Sequence, residues 1–168
     1  MPPVAHHSST MTSADAPPSL HDLPSGFVFD PARASSMMTR HGHGGWLGIT
    51  YHAHGPDWVE LALPWREELV GVAETGVLAS GPIISLMDNA TSMAVWTLAG
   101  RFTAHATLDL RVDYMRAAVP GKTVIGHGEC YKLTRTISFI RGIAHDGDPL
   151  DPVAHVIGTF MATHGTYL

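Results

Sequence analysis

The sequence predicts an α+β domain: an antiparallel sheet of five to six strands wrapped around one long central helix, with a short N-terminal helix before it. Three observations predict this. One apolar stretch, Pro82 to Ala99, carries a helix-start signal before it and a glycine after it. Runs with the two-residue alternation of strands lie on both sides of that stretch. The connections after it are too short to hold further helices, so neighbouring strands must run antiparallel.

In chain order, Asp30 is placed to cap a short helix with Pro31 at its first position, running to about Arg40. His41-Gly42-His43-Gly44-Gly45 ends it. Trp46 to His54 and Trp58 to Leu63 read as a hairpin split by Gly55-Pro56-Asp57; in the second run Val59, Leu61 and Leu63 alternate with Trp58, Glu60 and Ala62. Pro64 to Ala79 is a connection without clear periodicity. Ser80-Gly81-Pro82 then opens the long helix, with Ser80 or Gly81 as cap, and Gly100 sits where a glycine stop belongs. Between Thr75 and Gly100 the only charged side chain is Asp88. A helix so apolar all round is expected to be covered on more than one side. Four strands follow: His105 to Met115, Lys122 to Leu133, Thr136 to His145 and Pro152 to Thr163. In the first of them Leu108, Leu110 and Val112 alternate with Asp109, Arg111 and Asp113.

The bulk numbers narrow the function. At 168 residues the chain suits one domain, read as residues 26–168 behind a disordered tail of residues 1–25 rich in Pro, Ser, Thr and His. That tail lacks the pattern of a secretory signal. Charged residues make up only 15% and hydrophobic ones 45%, which predicts apolar surface covered by another subunit. A formal net charge of -5 disfavours a nucleic-acid partner. Asp88 in the middle of the apolar stretch argues against a membrane span. Cys130 is the only cysteine, which leaves no intrachain disulfide and points to a reduced, cytoplasmic setting.

Leu86-Met87-Asp88-Asn89 on the helix, Thr107 to Arg116 on the next strand, Pro120-Gly121 after it and Ala154 to Phe160 at the end together resemble the PaaI-like (phenylacetate-pathway-type) acyl-CoA thioesterases of the hotdog fold. The resemblance covers roughly residues 46–164. It implies hydrolysis of acyl-CoA with Asp88 as the catalytic carboxylate, a homodimer or a dimer of dimers, and no cofactor, coenzyme A entering as part of the substrate. It aligns Thr107 with a hydroxyl residue that holds the attacking water in some relatives. The family's His-Gly-Gly, whose His lies nine positions before the carboxylate, falls here on Ala79-Ser80-Gly81, so only the second Gly matches; the Asn six positions earlier falls on Ala73. A literal His43-Gly44-Gly45 precedes what reads as a strand and is treated as coincidence.

The chemistry follows from residue types. Thioester hydrolysis needs a base or nucleophile, here Asp88, and donors for the carbonyl oxygen, here the amides of Ser80 and Gly81 at the helix start. Pro82 has no N–H to donate. Gly81 and Asp88 are seven residues apart, about 10 Å along a helix, so one carbonyl reaches both only when two helices pack antiparallel about a two-fold axis near Ile84 and Ser85. Asn89, Met93 and Trp96 are candidates for the acyl pocket, and Arg116, Lys122 and Arg135 for the CoA phosphates. His52 and His54 would share a strand face, but no third metal ligand is apparent. Two other readings stay open: a non-catalytic acyl-CoA binder, and another hotdog acyl-thioester enzyme such as a dehydratase, which wants an imidazole facing the helix carboxylate.

Overall fold

The structure, a computed structural model, describes residues 29–38 and 42–168. The expected tail and the expected end of the first helix near Arg40 lie outside the described residues. Helix α1 spans Pro31–Met38, and Asp30 caps it through a 3.0 Å bond from the Ala32 amide to Oδ1. A second short helix, α2, spans Gly42–Leu47. Strands β1 (Thr50–His54) and β2 (Trp58–Leu63) form the expected hairpin, closed by the Gly55 amide donating to the Trp58 carbonyl at 3.0 Å.

The strand expected from Trp46 starts only at Thr50, and His43-Gly44-Gly45 lies inside a helix instead of before a strand. Tertiary contacts hold this glycine-rich turn. Leu47 is buried, Arg66 donates to the Trp46 carbonyl and covers its ring at 5.9 Å, and Gly48 at φ 73° releases the chain into β1. The connection of residues 64–79 likewise contains a 3-10 turn at Glu67–Leu69 and a small two-stranded sheet of β3 (Val70–Val72) and β4 (Val77–Leu78).

The long helix, α3, spans Ser80–Ala99. Its N-cap is Ala79, one residue earlier than expected and without a side-chain cap, so its first amides are left uncapped. Gly100 ends it in the left-handed conformation at φ 67°, as the sequence predicts. Strands β5 (His105–Tyr114), β6 (Val124–Leu133), β7 (Ile137–His145) and β8 (Ala154–Ala162) follow. The main sheet is antiparallel in the order β1-β2-β6-β7-β8-β5, which leaves β5 as an edge. In β5 the pairing jumps from Thr107–Phe160 to Asp109–Thr159, so Leu108 forms a bulge. Leu108 is 54% exposed, against the half-buried alternation expected of it.

Leu86, Met87, Ala90, Met93, Ala94 and Val95 pack α3 against the sheet, each buried and the larger ones contributing about 1.5–3 kcal/mol. Close approach is possible because Gly126 and Gly128, alternate residues of β6, face the helix. A Cβ on Gly128 would stand 2.6 Å from the Ala90 carbonyl carbon and from the Thr91 nitrogen. The opposite side of α3 is less covered. Gly81, Ile84, Ser85 and Asp88 share that side at helical spacing, and Ile84 is 40% exposed. Among the described residues no helix is long and apolar enough to cross a membrane.

Candidate active site

Edge strand β5 runs antiparallel to α3, and polar contacts cross the seam between them. Near the helix start, the Tyr114 hydroxyl donates to the Ser80 carbonyl at 2.9 Å. Further along, Thr107 Oγ1 donates to Asp88 Oδ1 at 2.9 Å. Beyond that, His105 Nε2 lies 3.2 Å from Ser92 Oγ, and the Trp96 indole donates to the Thr103 carbonyl at 2.7 Å. Asp88 is half-buried and Thr107 is exposed. Among the described residues the Asp88 carboxylate accepts from Thr107 and from no backbone amide. Asp88 thus differs from a structural Asp whose carboxyl is held by its own backbone amides.

The other residues singled out from the sequence fall into three groups. Ser80 and Gly81 stand at the uncapped helix start, where two recesses of about 310 and 300 Å³ flank them. Met93 and Trp96 lie in the core, away from Asp88, and Asn89 donates to the Ser85 carbonyl of its own helix at 2.7 Å. The three cations do not converge. Arg116 makes a two-point pair with Asp146 (2.8 and 2.7 Å) and a further 3.0 Å bridge to Asp151. That guanidinium holds the Asp146 carboxyl well below the usual carboxylate range. Lys122 and Arg135 are exposed just before and just after β6, on the order of 30 Å apart at about 3.3 Å per residue.

His52 and His54 also diverge, because a bulge between Tyr51 and Ala53 interrupts β1. His54 Nδ1 meets the Tyr51 hydroxyl at 2.7 Å, while His52 Nε2 lies 3.9 Å from Glu60. Among the described residues no three His, Cys, Asp or Glu side chains group as metal ligands.

Two residues escaped the sequence reading. His43, set aside with its glycines, lines the 300 Å³ recess beside Gly81 and bonds Ser85 Oγ through Nε2 at 3.1 Å. His105 is enclosed beside the seam, and burial pushes its imidazole down from 6.5 to about 4. One available signal was spacing: His105 lies two residues before Thr107 and so on the same strand face.

This burial has a measurable consequence. A base whose pKa is lower folded than unfolded binds more protons when unfolded, so stability is fully present above pH 6.5 and falls as pH drops toward 4. Burial lowers His145 in the same sense. Between pH 7.5 and 5, His105 alone is expected to remove about 2 kcal/mol. Urea midpoints at the two pH values check this, and the loss should shrink by that amount in His105→Phe.

Six antiparallel strands around one long helix define the hotdog class of α+β domains. A family profile described as the thioesterase superfamily matches residues 75–153, from just before α3 to just before β8. A crystal structure of a Pseudomonas aeruginosa protein is 38% identical, covering 79% of this chain and 97% of its own, with a TM-score of 0.70. The chain belongs to the thioesterase superfamily. A thioesterase family protein from Silicibacter pomeroyi is 25% identical over 80% of this chain and 97% of its own, with a TM-score of 0.68. The Escherichia coli PaaI protein of the phenylacetic acid degradation operon shares the fold, at a TM-score of 0.67 and 15% identity over 81% of this chain and 96% of its own. No curated protein matches the chain.

Proposed function

We propose that this protein is a PaaI-like member of the superfamily that hydrolyses acyl-CoA thioesters at two sites shared between the subunits of a homodimer. The observation that carries the reading is the Asp88 carboxylate, anchored on one oxygen by Thr107 and with no hydrogen-bond partner on the other among the described residues. Asp88 acts as general base: it removes a proton from water as the water oxygen attacks the thioester carbon. The carbonyl oxygen, gaining the π electron pair, is stabilised by the amides of Ser80 and Gly81 at the helix start of the partner subunit. Collapse then breaks the C–S bond, and the electron pair leaves with the CoA sulfur, which takes up a proton.

The uncovered side of α3 supports the dimer. Gly81, Ile84, Ser85 and Asp88 lie along one stripe with exposed Ile84 in the middle, and β5 offers an unpaired sheet edge beside it. An antiparallel copy of α3 would cover the stripe and set each Gly81 beside the other chain's Asp88.

Complementation tests this. Gly81→Pro removes one oxyanion donor in the first helical turn, where proline is tolerated, and Asp88→Asn removes the base. Each variant alone is expected to be nearly inactive in a thiol-release assay over short, aromatic and long acyl-CoAs. Co-expressed in equal amounts, they should recover about a quarter of wild-type activity, because half of the dimers contain one intact site. No recovery, or a fully active monomer in sedimentation, would defeat the shared site. Saturable CoA binding by wild type without thiol release would select the non-catalytic reading. One observation favours a dehydratase instead: His43 beside Gly81 places an imidazole where the partner's carboxylate would arrive. Hydration of an enoyl-CoA without thiol release would select it.

A further inference from the structure

The peptide joining Ser80 to Gly81 is a weakly secured unit of α3. Ala79 supplies no side-chain cap. Gly81 precedes Pro82, whose ring disfavours helical backbone at the residue before it, and has no Cβ to restrict its own dihedrals. A hydrogen-bond donor carried by this unit needs outside support to keep one direction.

Strand β5 provides that support. Tyr114 is its last residue and pairs with Ala154, and the next amide, that of Met115, donates to the Val153 carbonyl at 2.9 Å. From this fixed backbone the Tyr114 hydroxyl donates to the Ser80 carbonyl at 2.9 Å. That carbonyl and the Gly81 N–H belong to one planar peptide and point to opposite sides of it. Among the described residues the Gly81 amide donates to no protein group. Holding the oxygen therefore sets the direction of the free N–H. A bond accepted at the oxygen also draws electron density from the nitrogen, and hydrogen bonds so linked strengthen one another by about 10–30%. Partial burial raises the phenol above its ordinary range, so Tyr114 keeps its proton at neutral pH and remains a donor.

We propose that Tyr114 is a positioning residue for the oxyanion, orienting and polarising the Gly81 amide through the peptide they share. The proposal rests on the hydrolase reading of Asp88 and Gly81. As the water oxygen bonds to the thioester carbon, the carbonyl π pair moves onto oxygen, and the strengthened donor meets that growing charge. Its effect falls on kcat more than on substrate binding, because the charge is greatest in the transition state. Gly81 serves the partner's Asp88, whereas Thr107 holds the Asp88 of its own chain, so the two ends of β5 act on different sites.

Kinetics and two spectroscopic signals test this. One oxyanion donor is worth about 100- to 1,000-fold in kcat, so losing up to about a third of its strength in Tyr114→Phe should lower kcat about five-fold, with little change in KM. The first signal is the carbonyl stretch of a ¹³C-carbonyl form of the acyl-CoA that wild type hydrolyses fastest, bound to the Asp88→Asn protein. Adding Tyr114→Phe should shift that band to higher frequency. The second is the Gly81 amide proton of the substrate-free protein, which should move upfield in Tyr114→Phe. Tyr114→3-fluorotyrosine, a stronger donor of nearly the same shape, should move both signals the opposite way, which a merely structural hydroxyl would not do. The fluorinated side chain keeps the bond to Ser80, so this arm decides even where Tyr114→Phe fails to fold. Wild-type kcat in Tyr114→Phe, a change in KM alone, or signals unmoved by the fluorinated residue would each overturn the proposal. Absence of thiol release by wild type from every acyl-CoA would refute the hydrolase reading and the part of Tyr114 with it, whereas wild-type turnover beside an unaffected Tyr114→Phe refutes this proposal alone.

Discussion

Asp88→Asn is expected to lower kcat by about three orders of magnitude while the protein stays folded. The reasons for the two halves of that outcome differ. The amide keeps the shape of the carboxyl and an oxygen to accept the 2.9 Å bond from Thr107, so the seam has no cause to open. What it lacks is basicity: the amide oxygen takes no proton from water near neutral pH. Thiol release at saturating acyl-CoA, read beside unchanged circular dichroism and urea midpoint, separates the halves. Hydrolysis near the wild-type rate would remove Asp88 from the mechanism. An unfolded variant would mean that the carboxyl belongs to the architecture.

The second large effect is expected on stability. Gly128→Ala places a methyl group 2.6 Å from the backbone of Ala90 and Thr91, atoms of α3 that cannot rotate away as a side chain would. The helix must lift from β6 or the strand must bow, and the expected cost is about 3 kcal/mol. Urea unfolding of purified variant and wild type measures it. Because Ala90 and Thr91 follow Asp88 closely on the same helix, the displacement should also loosen the contact with Thr107, and activity should fall even at temperatures where the variant remains folded. A variant as stable as wild type would show that the helix rides higher above the sheet than described.

The elements legible in the sequence were those with a strong local pattern. Strand β2 announced itself by alternation, and α3 by Ser80-Gly81-Pro82 at one end and Gly100 at the other. Helix α2 did not, because Gly-His-Gly-Gly-Trp-Leu has poor helix propensity and no periodicity; contacts from Arg66, twenty residues on, hold it. The same division runs through the site. Asp88 was visible as the lone charge of an apolar helix, and Thr107 through resemblance, but helical geometry sets their company. At 100° per residue, Ser92 lies about 40° from Asp88, whereas Met93 and Trp96 turn away into the core. Arg116 looked free because its partner, Asp146, is thirty positions away. Burial at His105 left no mark on a sequence with twelve histidines.

The extra residue at Leu108 lets one strand serve two purposes. Before it, the odd-numbered His105 and Thr107 face α3; after it, the even-numbered Leu110 and Val112 pack on the core, and Tyr114 reaches the start of α3 with its hydroxyl. An uninterrupted pleat of the same length would send one set or the other to solvent. The insertion thus changes phase between the half of the strand that meets Asp88 and Ser92 and the half that packs on the core, and a chain one residue shorter at this point would have to give up one of them.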